Sequence, residues 1–575
     1  MPPEPSSPTA ARETVLVLGS GPIRIGQGIE FDYSCVHCVE TLRAMGYRAI
    51  IVNNNPETVS TDFDTGDGLY FEPVTLEDVL DVVAHERPIG VVCQFGGQTA
   101  INLANGLNER GVRVLGTSPD AIDRAEDRAR FDAMLEELGI PRPKGRAVRS
   151  LEEAKISARE SGYPVLVRPS FVLGGRAMEI VFSEDGLAKF YALAEDANPG
   201  QPVLVDKYLM GVEAEVDVIS DSEETLVPGI MEHVERAGVH SGDSMAVYPP
   251  VSLSPEIRAR MVGDACRIAR ALGVRGLMNI QFVVAPDANG QMVPYVLEVN
   301  PRASRTVPYL SKVTGIPMTD LATRCMMGTT LREMGYESGL WELSGGVRND
   351  EIWRPRFGGH VVPLADLEAG ALPAEPIVWA VKAPVFSFLK LRLVEPNLGP
   401  EMKSTGEILG IDRTYEAALY KALVASGIVF KNDGLVAITV RDTDKPEAVA
   451  LARGLVAGGY GLVATPGTAD ALKAAGIPCR RAVKIQAGSP NLLEMLMRGE
   501  IALMVNTASL DETSEGQAAQ IRRGCIEAGV PCVTSIDTAG AIVRALDLFR
   551  HPERSSVLRL EEYYAPADGI EPEKI

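Results

Sequence analysis

The sequence predicts an α/β protein of several domains, with a parallel, doubly wound sheet at each end of the chain. Near the amino terminus, apolar β-favouring runs alternate with helical stretches, and these runs span 14–18, 48–52, 90–94 and 112–115. The same rhythm returns near the carboxyl terminus, over 435–440, 461–463, 500–505 and 531–534. A chain of 575 residues exceeds what one hydrophobic core supports, so about three or four domains are expected.

The front domain begins with the strand, glycines and helix of a dinucleotide-binding fold but lacks that fold's glycine spacing and its ribose-binding acid. The first strand leads into Gly19 and Gly21, whereas the next glycine is Gly26, two places too late for the G-x-G-x-x-G pattern. The second strand ends at Asn53 and two further asparagines, where an acid would be needed to hold a ribose. The sequence therefore disfavours NAD.

The first candidate for a phosphate-binding element follows the front domain. Residues 165–181 have the pattern of a strand, a glycine-bearing turn and a second strand. Gly174 and Gly175 permit positive φ and a close approach of the backbone to a ligand. Arg168 and Arg176 flank the turn, so the hairpin could fold over a triphosphate with a cation on each side.

The next segments supply polar groups suited to a nucleotide. An apolar strand at 203–207 runs into a turn and then into the alternating acids of 213–217, as an adenosine pocket with a ribose-binding carboxylate would require. A polar loop follows at 238–244. On the strand at 277–283, Gln281 could supply an oxygen ligand to a metal ion.

The most informative segment is 296–305, a strand that ends at a proline and delivers polar residues to a sheet edge. Side chains alternate across a strand, so Glu298 and Asn300 are predicted to share one face, where their oxygens suit Mg²⁺. Arg302 and Arg305 follow, where the charge of nucleotide phosphates would need to be spread. Taken alone, the segment could equally be a strand end with solvated polar residues.

A second candidate site lies in the carboxyl-terminal domain. Thr465 and Thr468 fall between a strand and a helix, where backbone N–H groups and the helix dipole favour phosphate. Lys484, Asn506 and Thr507 fall at later strand ends, the edge where ligands gather in such sheets. The alternative is that all five are ordinary caps and turns.

Composition limits the functional class. With 46% hydrophobic residues and no long apolar run, no membrane span is expected, and a net charge of −21 argues against nucleic acid. Eight cysteines without paired spacing fit a reducing cytosol, so a cytoplasmic location is expected. Residues 1–13 lack the pattern of a secretory signal and are expected to form a disordered tail. Cys35, His37 and Cys38 fall on a predicted helix without a partner pair, which favours core packing over zinc.

Seven segments, in this order along the chain, resemble ATP-grasp enzymes and, among them, the carboxyl-terminal half of carbamoyl-phosphate synthase large subunits. They are GPIRIGQGIEFDYS (21–34), NPETVSTDFDT (55–65), FGGQT (95–99), GTSPDAIDRAEDR (116–128), RPSFVLGGRAMEIV (168–181), GIMEHVERAGVHSGDS (229–244) and EVNPRASRTVP (298–308). The resemblance begins at about Glu13 and implies a pre-ATP-grasp domain over 14–124, an ATP-grasp domain over 125–432 and a methylglyoxal-synthase-like allosteric domain over 433–575. Residues 336–381 match the family least, and no role is assigned to them.

The resemblance also implies roles for particular residues. Catalytic positions would be Asn300, Arg302 and Arg305, and the metal ligands would be Gln281, Glu298 and Asn300. The effector would contact Thr465, Thr468, Lys484, Asn506 and Thr507. ATP would contact Gln281 and Glu298 together with Arg128, Arg168, Gly174, Gly175, Arg176, Lys207, Leu209, Glu213, Gly238, Val239, His240 and Ser241.

The activity implied by the resemblance is the phosphorylation of carbamate by ATP, the second ATP step of carbamoyl-phosphate synthesis for arginine and pyrimidines. One or two Mg²⁺ or Mn²⁺ ions are implied, and K⁺ is compatible with the family. The implied partners are a glutaminase small subunit, a nucleotide effector, and either a separate chain with the amino-terminal half or a second copy of this chain. Two alternatives stay open: a non-catalytic, nucleotide-binding regulatory half, and another ATP-grasp carboxylate–amine ligase.

Overall fold

The computed structural model describes residues 12–169, 175, 177–347, 354–371, 373–391, 394–429, 434–483, 485, 488–507 and 512–565. The predicted tail lies outside this part of the chain except for Arg12 and Glu13. Arg12 pairs with Asp67, and the Glu13 carbonyl accepts a hydrogen bond from the Arg48 amide, so both residues are attached to the first sheet.

The front domain is the predicted parallel sheet, with strand order β3-β2-β1-β4-β5. The apolar residues of its three central strands are buried between two helical layers, because both faces of a parallel sheet are covered, whereas Leu69 and Val114 on the edge strands are half-buried. The strands are β1 (Thr14–Leu18), β2 (Arg48–Val52), β3 (Gly68–Tyr70), β4 (Gly90–Val92) and β5 (Val114–Leu115). The helices are α1 (Glu30–Ala44), α2 (Leu76–Glu86), α3 (Gly97–Ile101), α4 (Ala104–Glu109) and α5 (Pro119–Glu126).

Helix α1 contains the Cys35-Val-His37-Cys38 cluster. Cys35 and Cys38 are fully buried against the sheet, and burial raises the pKa of the Cys38 thiol to about 12. His37 faces outward and contacts Glu40. The prediction of core packing is confirmed, because the cysteine side chains fill the space between helix and sheet.

A small antiparallel sheet follows, with strand order β6-β9-β7-β8. Strands β7 and β8 pair antiparallel, with Val165 opposite Val181, which confirms the predicted hairpin. The elements are α6 (Arg128–Glu137), β6 (Gly145–Val148), α7 (Leu151–Ser161), β7 (Val165–Pro169), β8 (Glu179–Val181), α8 (Glu184–Ala197) and β9 (Val203–Lys207).

The largest sheet has nine strands, of which seven run in the order β14-β13-β10-β11-β12-β17-β18. Its strands are β10 (Val212–Asp221), β11 (Thr225–Arg236), β12 (Ala246–Tyr248), β13 (Arg275–Pro286), β14 (Met292–Asn300), β15 (Gly339–Val347), β16 (Phe357–Pro363), β17 (Trp379–Val385) and β18 (Gly406–Asp412). Its helices are α9 (Pro255–Leu272), α10 (Val307–Thr314), α11 (Met318–Met326), α12 (Leu364–Glu368) and α13 (Tyr415–Ala425).

The segment 336–381, to which the sequence assigned no role, extends this sheet. Strand β15 pairs parallel with β11 and antiparallel with β16. The end of the described chain packs onto the same segment, where the Tyr564 ring stacks on Phe357 at 3.6 Å and its hydroxyl donates to the Val313 carbonyl. The described residues of the segment are therefore part of the large sheet and its core.

The carboxyl-terminal domain is the second predicted parallel sheet, in the order β21-β20-β19-β22-β23. Its strands are β19 (Leu435–Thr439), β20 (Gly461–Ala464), β21 (Arg480–Arg481), β22 (Ile501–Asn506) and β23 (Cys532–Val533). Its helices are α14 (Lys445–Ala457), α15 (Pro466–Ala474), α16 (Leu492–Met497), α17 (Glu512–Ala528), α18 (Ile536–Arg544), α19 (Leu546–Arg550) and α20 (Leu560–Tyr563).

One hydrophobic core joins this domain to the large sheet. Val247 and Val381 from the large sheet, Leu419 from α13 and Ile438 from β19 all belong to it and are buried. Arg236, at the end of β11, also forms a bidentate ion pair with Asp537 of α18. Because apolar packing and charge pairing both cross this boundary, the two domains are expected to move together. None of the described helices has the length and apolar character needed to cross a bilayer.

Candidate active site

Strands β10, β13 and β14 place acids and amides on one face of the large sheet. Glu215 on β10 lies opposite Gln281 on β13, which in turn lies opposite Glu298 on β14. Two residues further along these strands, and on the same face, Asn279 lies opposite Asn300. Residues two apart share a face, so the register brings all these side chains together.

The predicted common face of Glu298 and Asn300 is confirmed. The Asn300 side-chain amide donates to Glu298 Oε1 at 3.0 Å, and Asn300 Oδ1 accepts from the Arg302 guanidinium at 3.1 Å. Carboxylate, amide and guanidinium thus form one connected row at the carboxyl end of β14.

The predicted nucleotide loop at 238–244 borders this row. The Gln281 amide donates to Ser241 Oγ at 3.0 Å, and the Gly238 amide donates to Glu213 Oε1 at 3.1 Å. His240 Nδ1 accepts from the Gly242 amide, and burial lowers the pKa of His240, so the imidazole is neutral at pH 7. Val239 lies half-buried in the same loop. The loop therefore meets the sheet where Gln281 and Glu298 face each other.

The oxygen atoms on this face form a donor set that suits a divalent cation. Among the described residues, no three His, Cys, Asp or Glu side chains converge in a way that could hold a metal ion by themselves. The row instead offers the Glu298 carboxylate with the amide oxygens of Gln281 and Asn300, which are hard ligands. Mg²⁺ is commonly held by one or two carboxylates plus substrate phosphates, so this set fits Mg²⁺ or Mn²⁺ bound together with a nucleotide.

A buried charged network lies on the same face and includes Glu213, which was predicted to contact ATP. His233 Nε2 lies 2.8 Å from Glu215 Oε1, and its Nδ1 lies 3.4 Å from Glu213 Oε2. Asp217 accepts from Thr306 Oγ1 at 2.5 Å and from the Asn279 amide at 3.0 Å. The only hint of it in the sequence was the alternation of acids at 213, 215 and 217.

His233 gives this network a measurable pH dependence. Burial lowers the pKa of His233, but the nearby carboxylates of Glu213 and Glu215 outweigh it and raise the pKa from 6.5 to about 9. Because the folded-state pKa exceeds the unfolded one, the stabilisation is complete below pH 6.5 and is lost as pH rises through about 9. The free energy of unfolding should therefore fall with pH across this window, by at most about 1.4 kcal/mol per pH unit from this group.

This expectation is checked by thermal unfolding between pH 6 and 9.5. The variant His233→Gln should be less stable at low pH and should lose much of the slope, whereas His37→Gln, on an exposed histidine, should keep it. An unchanged slope in His233→Gln would contradict the assignment.

The two predicted catalytic arginines contact different residues of the front domain. Arg302 Nε donates to Gln98 Oε1 of the front domain at 3.0 Å, and burial lowers the pKa of its guanidinium. Arg305 pairs with Glu30 at 3.1 Å and contacts Met402 Sδ. Both arginines are therefore held at the junction between the front domain and the large sheet.

The other predicted cations lie around the small sheet. Arg128 begins α6 and pairs with Asp132 and Asp206, and Arg168 lies 3.6 Å from the same Asp206. Lys207 donates to the Gly162 and Tyr163 carbonyls, and burial lowers its pKa. Leu209 is half-buried beside them. Gly174 and Arg176 lie outside the described residues.

Gly175 shows why the hairpin turn requires glycine. Its φ is +69°, and a Cβ atom there would lie 2.1 Å from the Pro400 carbonyl oxygen and 3.2 Å from the His240 ring. Only glycine allows this approach. The turn is thereby packed against the nucleotide loop.

The predicted effector residues converge at the carboxyl ends of β19, β20 and β22. Thr465 donates to Thr439 Oγ1 at 3.1 Å, and the Thr507 amide donates to the Thr439 carbonyl. Thr468 Oγ1 accepts from the Val440 amide at 3.4 Å. Asn506 is buried beside them, and its amide nitrogen has no hydrogen-bond partner among the described residues. Lys484 lies outside the described residues.

Comparison with known proteins assigns each domain. Residues 11–124 match the family model for the carbamoyl phosphate synthase preATP-grasp domain. Residues 127–334 match the carbamoyl-phosphate synthase L chain, ATP binding domain, and 447–534 match the MGS-like domain. These three matches agree with the three parts of the structure described above.

Solved structures share the fold at low sequence identity. The biotin carboxylase domain of the Hydrogenobacter thermophilus 2-oxoglutarate carboxylase, in complex with MgADP, ADP and bicarbonate, aligns with a TM-score of 0.51 at 18% identity over 72% of this chain and 90% of that one. The N5-carboxyaminoimidazole ribonucleotide synthetase of Thermotoga maritima gives 0.47 at 15% identity, over 72% and 98%. At 18% identity, the alignment with the first of these structures shows the fold alone.

The chain therefore combines a preATP-grasp domain and an ATP-binding domain of the carbamoyl-phosphate synthase L-chain type with an MGS-like domain.

Proposed function

We propose that this site transfers the γ-phosphoryl group of ATP to carbamate, giving carbamoyl phosphate and ADP for arginine and pyrimidine synthesis. The observation that carries the proposal is the hydrogen-bonded row Glu298, Asn300 and Arg302, which shares one sheet face with Gln281 and the nucleotide loop. A metal-binding carboxylate and a carboxylate-binding guanidinium are thereby brought side by side.

The chemistry requires positioning and charge neutralisation, with no protein nucleophile. A carbamate oxygen attacks the γ-phosphorus, the bond from that phosphorus to the β–γ bridging oxygen breaks, and ADP leaves with the negative charge. Arg302 would orient the planar carbamate through paired N–H groups. A Mg²⁺ or Mn²⁺ held by Gln281, Glu298 and Asn300 would supply charge neutralisation at the nucleotide phosphates.

The remaining cations would neutralise the triphosphate. Arg128 and Arg168 share Asp206 in this structure and are attached to the sheet that carries the hairpin. Exchange of that carboxylate for phosphate oxygens would leave each guanidinium with an acceptor. Arg305, beside the nucleotide loop, would add to the charge, as would Arg176, which lies outside the described residues.

Two alternatives use the same observations differently. A regulatory half that binds nucleotide without turnover would be expected to have lost part of the row, yet Gln281, Glu298, Asn300 and Arg302 are all present. Another ATP-grasp carboxylate–amine ligase would share the row but has less need of an attached MGS-like domain.

The proposal implies partners, because carbamate decomposes quickly in water and must arrive by a protected route. A chain that activates bicarbonate, or a second copy of this one, would deliver it, and a glutaminase subunit would supply ammonia. We further propose that the pocket around Thr468 and Asn506, with Lys484, binds a nucleotide monophosphate as effector. Because the two domains share a hydrophobic core, effector binding at that site would be coupled to the large sheet.

The reverse reaction tests this function without the partners. Purified chain with Mg²⁺, ADP and carbamoyl phosphate should form ATP, measured by luciferase, and should show little ATPase stimulated by bicarbonate alone. The opposite pattern would identify the bicarbonate-activating reaction and overturn the assigned substrate.

A further inference from the structure

The FGGQT segment (95–99) belongs neither to the row of Glu298, Asn300 and Arg302 nor to the nucleotide loop. It spans the end of the turn after β4 and the first residues of α3, and Gly96 permits a close approach to the end of the first strand: a Cβ atom on Gly96 would lie 2.5 Å from the Gly19 carbonyl oxygen. Gln27 fixes the same turn, since its amide donates to the Gly96 carbonyl at 2.8 Å. The segment therefore projects Gln98 from a rigid part of the front domain.

Both the oxygen and the nitrogen of the Gln98 side-chain amide form hydrogen bonds. Its Oε1 accepts from Arg302 Nε at 3.0 Å, while its Nε2 donates to Asn102 Oδ1 at 2.8 Å and to Glu126 Oε1 at 3.0 Å. The two donations fix which way the amide points, so the oxygen is held toward the arginine. A side chain that could otherwise rotate is thus locked by its neighbours.

The contact completes a continuous row across two domains. From Glu126 the hydrogen bonds run to Gln98, then to Arg302, Asn300 and Glu298. Gln98 and Glu126 belong to the front domain, whereas the other three lie on or just after β14 of the large sheet. The neighbouring Ala303 amide donates to the Gln94 carbonyl, so the backbone of the arginine loop is held by the same turn.

We propose that Gln98 is a positioning residue that aims Arg302 at the acceptor substrate. An arginine has five N–H donors, and within the described residues Gln98, Ala303 and Asn300 accept three of those of Arg302. Two donors remain for a carboxylate-like acceptor. Without Gln98 the guanidinium would keep its charge but lose the contact that sets its plane. The inference rests on the proposed function and predicts a defect on the acceptor side, not on the nucleotide side.

The test compares Gln98→Met with Asn102→Ala in the reverse reaction. Methionine keeps the length of the side chain but cannot accept the Arg302 hydrogen bond, whereas Asn102→Ala removes a partner of the same amide without touching the arginine. Gln98→Met should lower kcat/KM for carbamoyl phosphate by about 10- to 100-fold, because small misplacements at a reacting centre are costly. The KM for ADP should change by less than about threefold. Asn102→Ala should resemble the wild type, because Glu126 still accepts from the Gln98 amide and keeps its oxygen toward Arg302.

Exchanging the hydrogen-bond donor and acceptor between residues 98 and 126 provides a rescue experiment. Gln98→Glu places a second carboxylate beside Glu126 and should impair the reaction, whereas Gln98→Glu with Glu126→Gln restores complementary hydrogen bonds and should recover most of it. Equal losses for ADP and carbamoyl phosphate, or no loss in Gln98→Met, would overturn the positioning role.

Failure of the proposed function would be seen separately, as absence of ATP formation by the wild type. In that case the positioning role of Gln98 is tested by calorimetric titration of carbamoyl phosphate in the presence of MgADP. An affinity lower in Gln98→Met than in Asn102→Ala would support the positioning role, and equal affinities would overturn it.

Discussion

Replacing Glu298 by glutamine is expected to lower phosphoryl transfer about a thousandfold while leaving the fold intact. The carboxylate is the single formal charge in the proposed metal set, and Gln281 and Asn300 supply only neutral oxygens. Its loss would leave the nucleotide phosphates with less neutralisation in the transition state, a cost of about 4 kcal/mol. Because glutamine keeps the shape and can still accept from the Asn300 amide, packing at the end of β14 should be preserved.

The measurement is the initial rate of ATP formation from ADP and carbamoyl phosphate at saturating Mg²⁺. Circular dichroism and the thermal midpoint establish that the variant is folded, and Glu109→Gln on an exposed helix end serves as the matched control. Turnover near the wild-type rate in Glu298→Gln would show that the metal-binding carboxylate lies elsewhere.

The second large effect is expected at Arg522, which is fully buried in the MGS-like domain. Its guanidinium bonds Glu395 at 2.6 Å, Glu515 and Asn506 Oδ1 at 2.9 Å. Breaking a buried ion pair by removing one partner costs roughly 3–5 kcal/mol. Both glutamates are partly exposed and can regain water, so Arg522→Met is expected to cost about 2–3 kcal/mol.

Glu395 lies in the connection between β17 and β18, so the variant also breaks a contact between the ATP-grasp and MGS-like domains. Calorimetry should show the transition of the MGS-like domain lowered by roughly 5–10 °C. Arg498→Met is the control, because that arginine is 59% exposed and its pairs with Glu494 and Glu500 are long. An unshifted transition in Arg522→Met would mean that the buried pair adds nothing to stability.

The sequence by itself determined the fold class and much of the site. Alternating apolar strands and helices predicted both parallel sheets, since a strand covered on both faces must be apolar throughout. The two-residue spacing of Glu298 and Asn300 predicted their shared face, because side-chain alternation is a local property of a strand. The position of Cys35 and Cys38 on a predicted helix, without a partner pair of ligands, likewise predicted burial over metal binding.

What the tertiary structure decided depends on contacts between residues far apart in the chain. The register of β10 against β11 puts His233, Glu213 and Glu215 into one buried network, and no local pattern reports that pairing. The contact of Gln98 with Arg302 joins residues 204 positions apart. The segment 336–381 became part of the large sheet through pairing with β11. Sequence periodicity records which face a side chain occupies, whereas the partner it meets there is fixed only when sheets and domains pack together.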